Sequence, residues 1–225
     1  MSATDPDVII VFTGNGPAYR TSDGGNSWQK IETLPQEGFG KRGYWNTRNL
    51  LTADGVNGKK FYNYYKGKFY RSVDGGLTFT PTEASLPDLN ENERITNDVI
   101  PAPGMEGEVW ISLDTRGLYR SSDNGSSFSR IKNVDKVLLF DFGKPLDKTS
   151  LPVVYVYGTV NGKDGVFRSL DFGKKWQDIS PKEIVGIGCE PRVLTASKQY
   201  CGLVFIGTFG RGIYYGVPDD FSKVK

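Results

Sequence analysis

The chain has 225 residues, of which 28 are basic and 26 acidic, giving a net charge of +2. The charges are mixed along the chain with no basic stripe, which argues against a nucleic-acid partner. No apolar run approaches the roughly 20 residues a membrane-spanning helix needs, so no membrane partner is implied. There is no histidine, so the commonest general base and the commonest metal ligand are both missing, and no metal or other cofactor is expected. Aromatic residues at 13% and 28 glycines favour short strands joined by tight turns over disorder. The length suits one all-β domain over residues 1–225.

At the N-terminus, Met1-Ser-Ala-Thr-Asp-Pro-Asp7 has no apolar signal-peptide core, so the chain reads either as cytosolic or as cut from a longer precursor. An apolar strand, Val8–Thr13, then leads through a Gly turn into a second strand ending in Tyr19–Trp28. The same hairpin recurs from Lys60–Tyr65 into Tyr70–Phe79, from Glu108–Leu113 into Tyr119–Phe128, and from Val153–Tyr157 into Phe167–Trp176. Leu203–Gly207 followed by Gly210-Arg-Gly-Ile-Tyr-Tyr215 repeats it a fifth time. One more apolar stretch precedes each of the last four hairpins, at Asn49–Ala53, Thr96–Pro101, Lys136–Phe140 and Arg192–Ala196. These read as inner strands.

The segments at the ends of the first four hairpins align without gaps as aromatic-Arg-[Ser/Thr]-x-Asp-x-Gly-x-x-[Trp/Phe], with cores at 21–28, 72–79, 121–128 and 169–176. Asp23, Asp74, Asp123 and Asp171 stand 51, 49 and 48 residues apart. The pattern resembles the Asp-box of sialidases and related propellers. Asp can accept hydrogen bonds from turn N–H groups, Gly allows the positive φ of a tight turn, and the Ser/Thr hydroxyl can tie the turn to its strand. One copy per repeat marks these aspartates as turn staples rather than catalysts. Trp28, Phe79, Phe128 and Trp176 are expected in the core as the residues that close each box. The fold expected is a β-propeller of about five four-stranded blades, forming a closed ring or part of a larger one. The first blade lacks an inner strand and the last an outer strand.

Several stretches beyond the boxes resemble the C-terminal part of glycoside hydrolase family 74. They are Ala53-Asp-Gly-Val-Asn-Gly-Lys-Lys-Phe-Tyr-Asn-Tyr-Tyr65, Gly158-Thr-Val-Asn-Gly-Lys-Asp-Gly-Val-Phe-Arg-Ser169, Glu190-Pro-Arg-Val193 and Leu203-Val-Phe-Ile-Gly-Thr-Phe-Gly-Arg-Gly-Ile-Tyr-Tyr-Gly216. The resemblance implies a secreted xyloglucanase or a reducing-end-specific relative, in which two seven-bladed propellers flank a sugar cleft and each supplies one catalytic Asp. The second of these lies in a Gly-Asp-Ile-Gly-Gly-Phe motif, which this sequence does not contain. The chain is therefore expected to be the C-terminal propeller portion of a xyloglucan-degrading enzyme. It would bind xyloglucan or related β-glucan and be inactive alone, with no catalytic residue carried over. The missing N-terminal propeller or a second copy would be its protein partner.

Sugar rings stack on aromatic faces, and their hydroxyls bond to amide and charged side chains. The candidates are Tyr44, Trp45, Asn46 and Arg48 before an inner strand, with Tyr65, Arg116, Asn161, Phe209 and Arg211 in the hairpin turns. Packing is the competing role for each aromatic, and ion pairing for each arginine. Asp114, Asp141 and Asp164 read as turn or solvated acids. Asn124-Gly-Ser126 matches an N-glycosylation acceptor inside a box turn. Cys189 and Cys201 fit either a disulfide or two buried thiols. A sialidase would also need an Arg-Ile-Pro motif, which is absent. A non-catalytic propeller of the sorting-receptor (sortilin-like) or photosystem-assembly kind, binding peptide or protein, is the other alternative.

Overall fold

The computed structural model describes residues 1–13, 16–36, 51–88, 98–180 and 191–217, and all the regular structure in them is β. The first sheet contains β1 (Ile9–Phe12), β2 (Ala18–Thr21) and β3 (Gln29–Lys30). The second contains β4 (Leu51–Ala53), β5 (Phe61–Tyr65), β6 (Lys68–Ser72) and β7 (Thr80–Ser85). The third contains β8 (Val99–Pro101), β9 (Val109–Ser112), β10 (Leu118–Ser121) and β11 (Ser129–Arg130). The fourth contains β12 (Val134–Gly143), β13 (Val153–Val160), β14 (Lys163–Ser169) and β15 (Gln177–Asp178). The fifth contains β16 (Pro191–Ala196), β17 (Val204–Thr208) and β18 (Ile213–Gly216). In every sheet neighbours in sequence are neighbours in space, so each is a simple antiparallel meander of the kind that forms a propeller blade. Among the described residues the first blade has no inner strand and the fifth no outer one.

Two compact units are distinguished. One is Met1–Leu113 with Tyr119–Arg130, and the other is Asp114–Leu118 with Ile131–Lys225. In the first unit, blade packs on blade through alternate strand residues. Ile10 and Ala18 of the first blade share a cluster with Phe61 and Phe79 of the second. Tyr62, Tyr64 and Phe69 of the second share another with Val109 and Ile111 of the third, and Phe128 packs on its edge. Phe128 meets the Phe69 ring edge-on at 4.8 Å. In the second unit Val153, Tyr155 and Val166 of the fourth blade pack on Leu194, Ala196, Val204 and Ile206 of the fifth. Each fully buried aromatic or branched side chain contributes roughly 1.5–3 kcal/mol.

The hydroxyl and carboxylate of each box close its turn reciprocally. Ser121 Oγ donates to Asp123 Oδ1 at 2.7 Å and accepts from the Gly125 N–H at 2.9 Å. Asp123 then accepts from the N–H and hydroxyl of Ser127. Thr21 with Asp23, Ser72 with Asp74 and Ser169 with Asp171 repeat the arrangement. In the fourth box Lys175 offers Asp171 only its backbone N–H, having no hydroxyl. Bonds from Ser27 and Thr21 hold the Asp23 carboxyl far below the usual carboxylate range. At Asp74, Asp123 and Asp171 partial burial pushes upward, but the hydrogen bonds outweigh it and the shift is again downward. Ser121→Ala removes one donor and strands the buried Gly125 N–H. Urea unfolding should show a loss of about 1–3 kcal/mol.

The box arginines reach forward. Arg20 Nε donates to the Gly75 carbonyl in the second box at 2.7 Å, and an Arg71 guanidinium N–H donates to Ser126 Oγ in the third at 2.7 Å. A carboxylate node adds to the junction of the second and third blades. Asp54, fully buried, accepts from the N–H groups of Val56, Asn57 and Gly107 and from the Tyr62 hydroxyl, all within 2.8–2.9 Å.

Trp28 corrects the expectation that all four box-closing rings are core. It is 44% exposed, whereas Phe79 is 2% exposed. Phe79 and Phe128 close their boxes against the blade before them. Among the described residues Trp28 has no such sheet to rest on, and its indole N–H donates instead to Gly25 O within its own turn.

Candidate functional site

Arg116, Asn161, Phe209 and Arg211 fall in the turn between the second and third strands of a blade, at the strand ends opposite the box, and Tyr65 is the last strand residue before the corresponding turn of the second blade. The local sequence explains these turns. Lys66-Gly67 and Asn161-Gly162 both have positive φ at two successive residues, the geometry of a two-residue hairpin that matches strand twist. The turn through Arg116 begins at Asp114 and ends at Gly117, and the Asp114 carbonyl accepts from the N–H groups of Gly117 and Val137.

Two of the turns are fastened to the same stretch of chain. The Arg116 turn is tied at Val137 through an isolated bridge with Asp114. The Asn161 N–H donates to Asn133 O, and the Gly162 N–H donates to the Asp135 carboxylate. Arg116 and Asn161, both exposed, thus stand beside the start of β12. Phe209 and Arg211 share a turn of the fifth blade, and the Phe209 face is covered on one side by the Arg192 guanidinium, 5.7 Å from the ring centre. In the first unit Lys66 Nζ lies 5.4 Å from the Tyr65 ring centre. Tyr44, Trp45, Asn46 and Arg48 lie outside the described residues, as does Cys189. Cys201 packs half-buried beside the core of the second unit.

Asp135, Arg192 and Lys66 are contributors that the sequence reading did not single out. The signal for Arg192 was its place two residues after Glu190 on the strand that delivers it; Asp135 carried none, because its role depends on a turn 27 residues away.

Two of the acids read as turn or solvated groups, Asp141 and Asp164, are engaged in hydrogen bonds. Asp141 accepts from the Ala196 N–H and the Lys198 ammonium, and Asp164 from the Thr159 hydroxyl. A general acid for glycoside hydrolysis needs a carboxyl held above its ordinary pKa. Among the described residues every carboxyl with a displaced pKa is displaced downward: Asp23, Asp54, Asp74, Glu106, Asp123, Asp147, Asp171 and Asp178. No trio of potential metal ligands comes together among those residues either. The amide of Asn124, in the glycosylation-like triplet, is turned inward. Its oxygen accepts from Lys60 Nζ at 2.6 Å, and it packs where a side chain on Gly107 would stand.

No family model matches the chain. Individual relatives do, over nearly its whole length. Xyloglucanase Xgh74A of Acetivibrio thermocellus is 39% identical over 99% of the chain, and a xyloglucanase of a Paenibacillus species is 30% identical over 96%. Among solved structures, the GH74 enzyme of Niastella koreensis superposes with a TM-score of 0.80 at 27% identity over 97% of the chain. The GH74 xyloglucanase of Xanthomonas campestris does so with 0.75 at 29% over 94%. The chain is a propeller segment of glycoside hydrolase family 74. It spans about a quarter of the length of the curated relatives, 24% and 20%, and 30% and 28% of the two solved chains. The turns carrying Arg116, Asn161, Phe209 and Arg211 are therefore loops of a family 74 propeller.

Proposed function

We propose that this chain is the C-terminal propeller portion of a xyloglucan-degrading glycoside hydrolase, that it binds xyloglucan or related β-glucan chains, and that it does not cleave them alone. The observation that carries this reading is the 39% identity to a xyloglucanase across 99% of the chain. Exposed Arg116, Asn161, Phe209 and Arg211, together with Trp45 and its neighbours Tyr44, Asn46 and Arg48, supply aromatic faces and donors suited to sugar hydroxyls. Tyr65 adds a further aromatic at the corresponding turn of the second blade. The downward displacement of every perturbed carboxyl among the described residues supports binding without hydrolysis. The likeness to xyloglucanases supports a parent enzyme that acts outside the cell, on a polysaccharide substrate.

Two variants test the binding face. Phe209→Ala and Trp45→Ala should each weaken xyloglucan-oligosaccharide binding about tenfold in calorimetry, equivalent to about 1.4 kcal/mol, with unchanged melting temperature. Unaltered affinity in both would remove these two residues from the site. Release of reducing sugar from xyloglucan by the purified chain would overturn the claim that it does not act alone.

A further inference from the structure

At the junction of the second and third blades, an amine, a carboxylate and a primary amide share one point of contact. Lys60, just ahead of β5, places its Nζ 2.6 Å from Glu106 Oε1 and 2.6 Å from Asn124 Oδ1. All three residues belong to the same compact unit. The Lys60 side chain is only 18% exposed, so its amine is largely withdrawn from solvent. An ion pair with Glu106 alone would not need the amide.

The reacting groups are held from their backbones. The Lys60 N–H donates to Asn57 O at 3.0 Å, and Lys60 O accepts from the Asp54 N–H at 2.9 Å. Asn124 stands at a φ of 59°, and its N–H donates to Gly107 O at 3.0 Å. The amide lies flat against Gly107, where a Cβ would come within 2.7 Å of Oδ1, 3.0 Å of Cγ and 3.2 Å of Nδ2. A side chain at that position would push the amide off the lysine. A C=O bond is about 1.2 Å long, so Lys60 Nζ lies within about 3.8 Å of Asn124 Cγ. That is close to the spacing at which well-oriented reactants combine. The fully buried Tyr62 has its hydroxyl oxygen 3.5 Å from Asn124 Oδ1. Asn57 Nδ2 donates to Glu106 Oε1 at 2.9 Å and steadies the carboxylate. The bonds from Lys60 and Asn57 hold the Glu106 carboxyl below its usual range, so it stands in the form that accepts a proton.

We propose that Lys60 and Asn124 join in an intramolecular isopeptide bond, with Glu106 as the catalytic residue that moves the protons. Glu106 takes a proton from the Lys60 ammonium, and the freed lone pair attacks Asn124 Cγ. The carbonyl opens to an oxyanion at Oδ1. As the carbonyl re-forms, the Cγ–Nδ2 bond breaks and Glu106 passes its proton to the leaving nitrogen, which departs as ammonia. The surplus proton on the new amide nitrogen follows through Glu106. The Lys60 ammonium and the Asn124 amide thus become one secondary amide and one ammonium ion, with no oxidant or co-reactant. The bond ties the start of β5 to the third box turn, beside the Asp54 node that already joins these blades. The inference does not depend on the sugar-binding reading.

Intact-mass spectrometry of the purified chain tests it, with Lys60→Arg and Glu106→Gln beside wild type. Wild type should weigh less than its sequence by one ammonia. Its tryptic digest should contain a branched peptide linking Lys60 to Asn124, uncut after Lys60 because the amine is acylated. Lys60→Arg keeps the cation without the nucleophile and should retain its full sequence mass. Glu106→Gln keeps the shape without the base and should slow the conversion about a hundredfold or more. Cooperative thermal melts will show that each variant folds; where one does not, fragmentation of the wild-type branched peptide decides. A wild-type chain at full sequence mass overturns the proposal. Loss of ammonia without a branched peptide also overturns it, since that is ring closure of Asn124 on the Gly125 nitrogen. Undiminished conversion in Glu106→Gln removes Glu106 from the reaction and overturns the proposed mechanism.

Discussion

Gly125→Ala is expected to cost about 3–5 kcal/mol, enough to remove most of the stability of a small domain. A Cβ at Gly125 would sit 2.1 Å from the Phe69 ring, at a φ of +76°. The ring cannot retreat, because Phe69 is fully buried between its own sheet and Phe128. Overpacking a core of this kind costs about 1–3 kcal/mol or more, and an L-residue at this φ adds roughly 1–2. Gly104→Ala is the matched control. Its φ is +73°, and nothing lies within 4 Å of its Cβ position, so it reports backbone strain alone and should cost about 1 kcal/mol. Urea midpoints of the two variants against wild type give the comparison. Equal losses would mean that the third box does not press on the second blade.

Asp54→Ala is expected to be nearly as damaging, at about 3 kcal/mol or more. The substitution leaves the N–H groups of Val56, Asn57 and Gly107 and the Tyr62 hydroxyl without their shared acceptor in a buried site. Burial alone would raise the Asp54 pKa, but the bonds from Asn57, Gly107, Val56 and Tyr62 outweigh it and the net shift is below the ordinary 3.8. A carboxyl whose folded pKa lies below its unfolded one contributes stability above the unfolded value. That contribution is lost as the pH falls through the folded value. Wild-type melting temperature should therefore hold from neutral pH to about pH 4 and fall below it, with the box aspartates contributing in the same direction. Asp54→Asn should start lower and fall less steeply between about pH 4 and pH 2. Parallel curves would mean that Asp54 is not ionised in the folded chain.

The repeat was legible because each box is local. Its hydroxyl, carboxylate and glycine lie within eight residues, so the chemistry that folds the turn can be read without knowing what surrounds it. The paired strands could be placed from the same repeat, and their starts agree to within a few residues. The fourth blade's hairpin is longer than alternation suggests. β13 runs through Gly158, where the lack of a side chain lets the Lys136 carbonyl approach to 2.0 Å of the Cβ position beside an irregular step in β12. A glycine that reads as a strand end in sequence is here what allows the strand to continue.

What was not legible depends on partners distant in sequence. Asp54 sits in a Gly- and Asn-rich stretch that reads as an ordinary loop. Its burial is decided by Gly107, 53 residues away. Trp28 carries the same local signature as Phe79, yet its exposure is set by which sheet lies under its ring, which the box itself does not encode. The candidate sugar contacts divide similarly. The turns holding Arg116, Asn161, Phe209 and Arg211 announced themselves through glycines at left-handed positions. The fastening of two of them to the start of β12, and the Arg192 guanidinium over Phe209, follow from strand packing that no single turn encodes.

The function proposed for this family 74 propeller segment is to hold sugar without cutting it. An NMR titration of isotopically labelled chain with a xyloglucan oligosaccharide addresses both halves at once. Amide signals of residues 114–117, 160–163 and 208–213 should shift in a saturable way, a sialoside should shift none of them, and the sugar's anomeric signals should stay unchanged over the experiment. Amides that ignore xyloglucan, or new reducing-end signals appearing as it is consumed, would contradict the account.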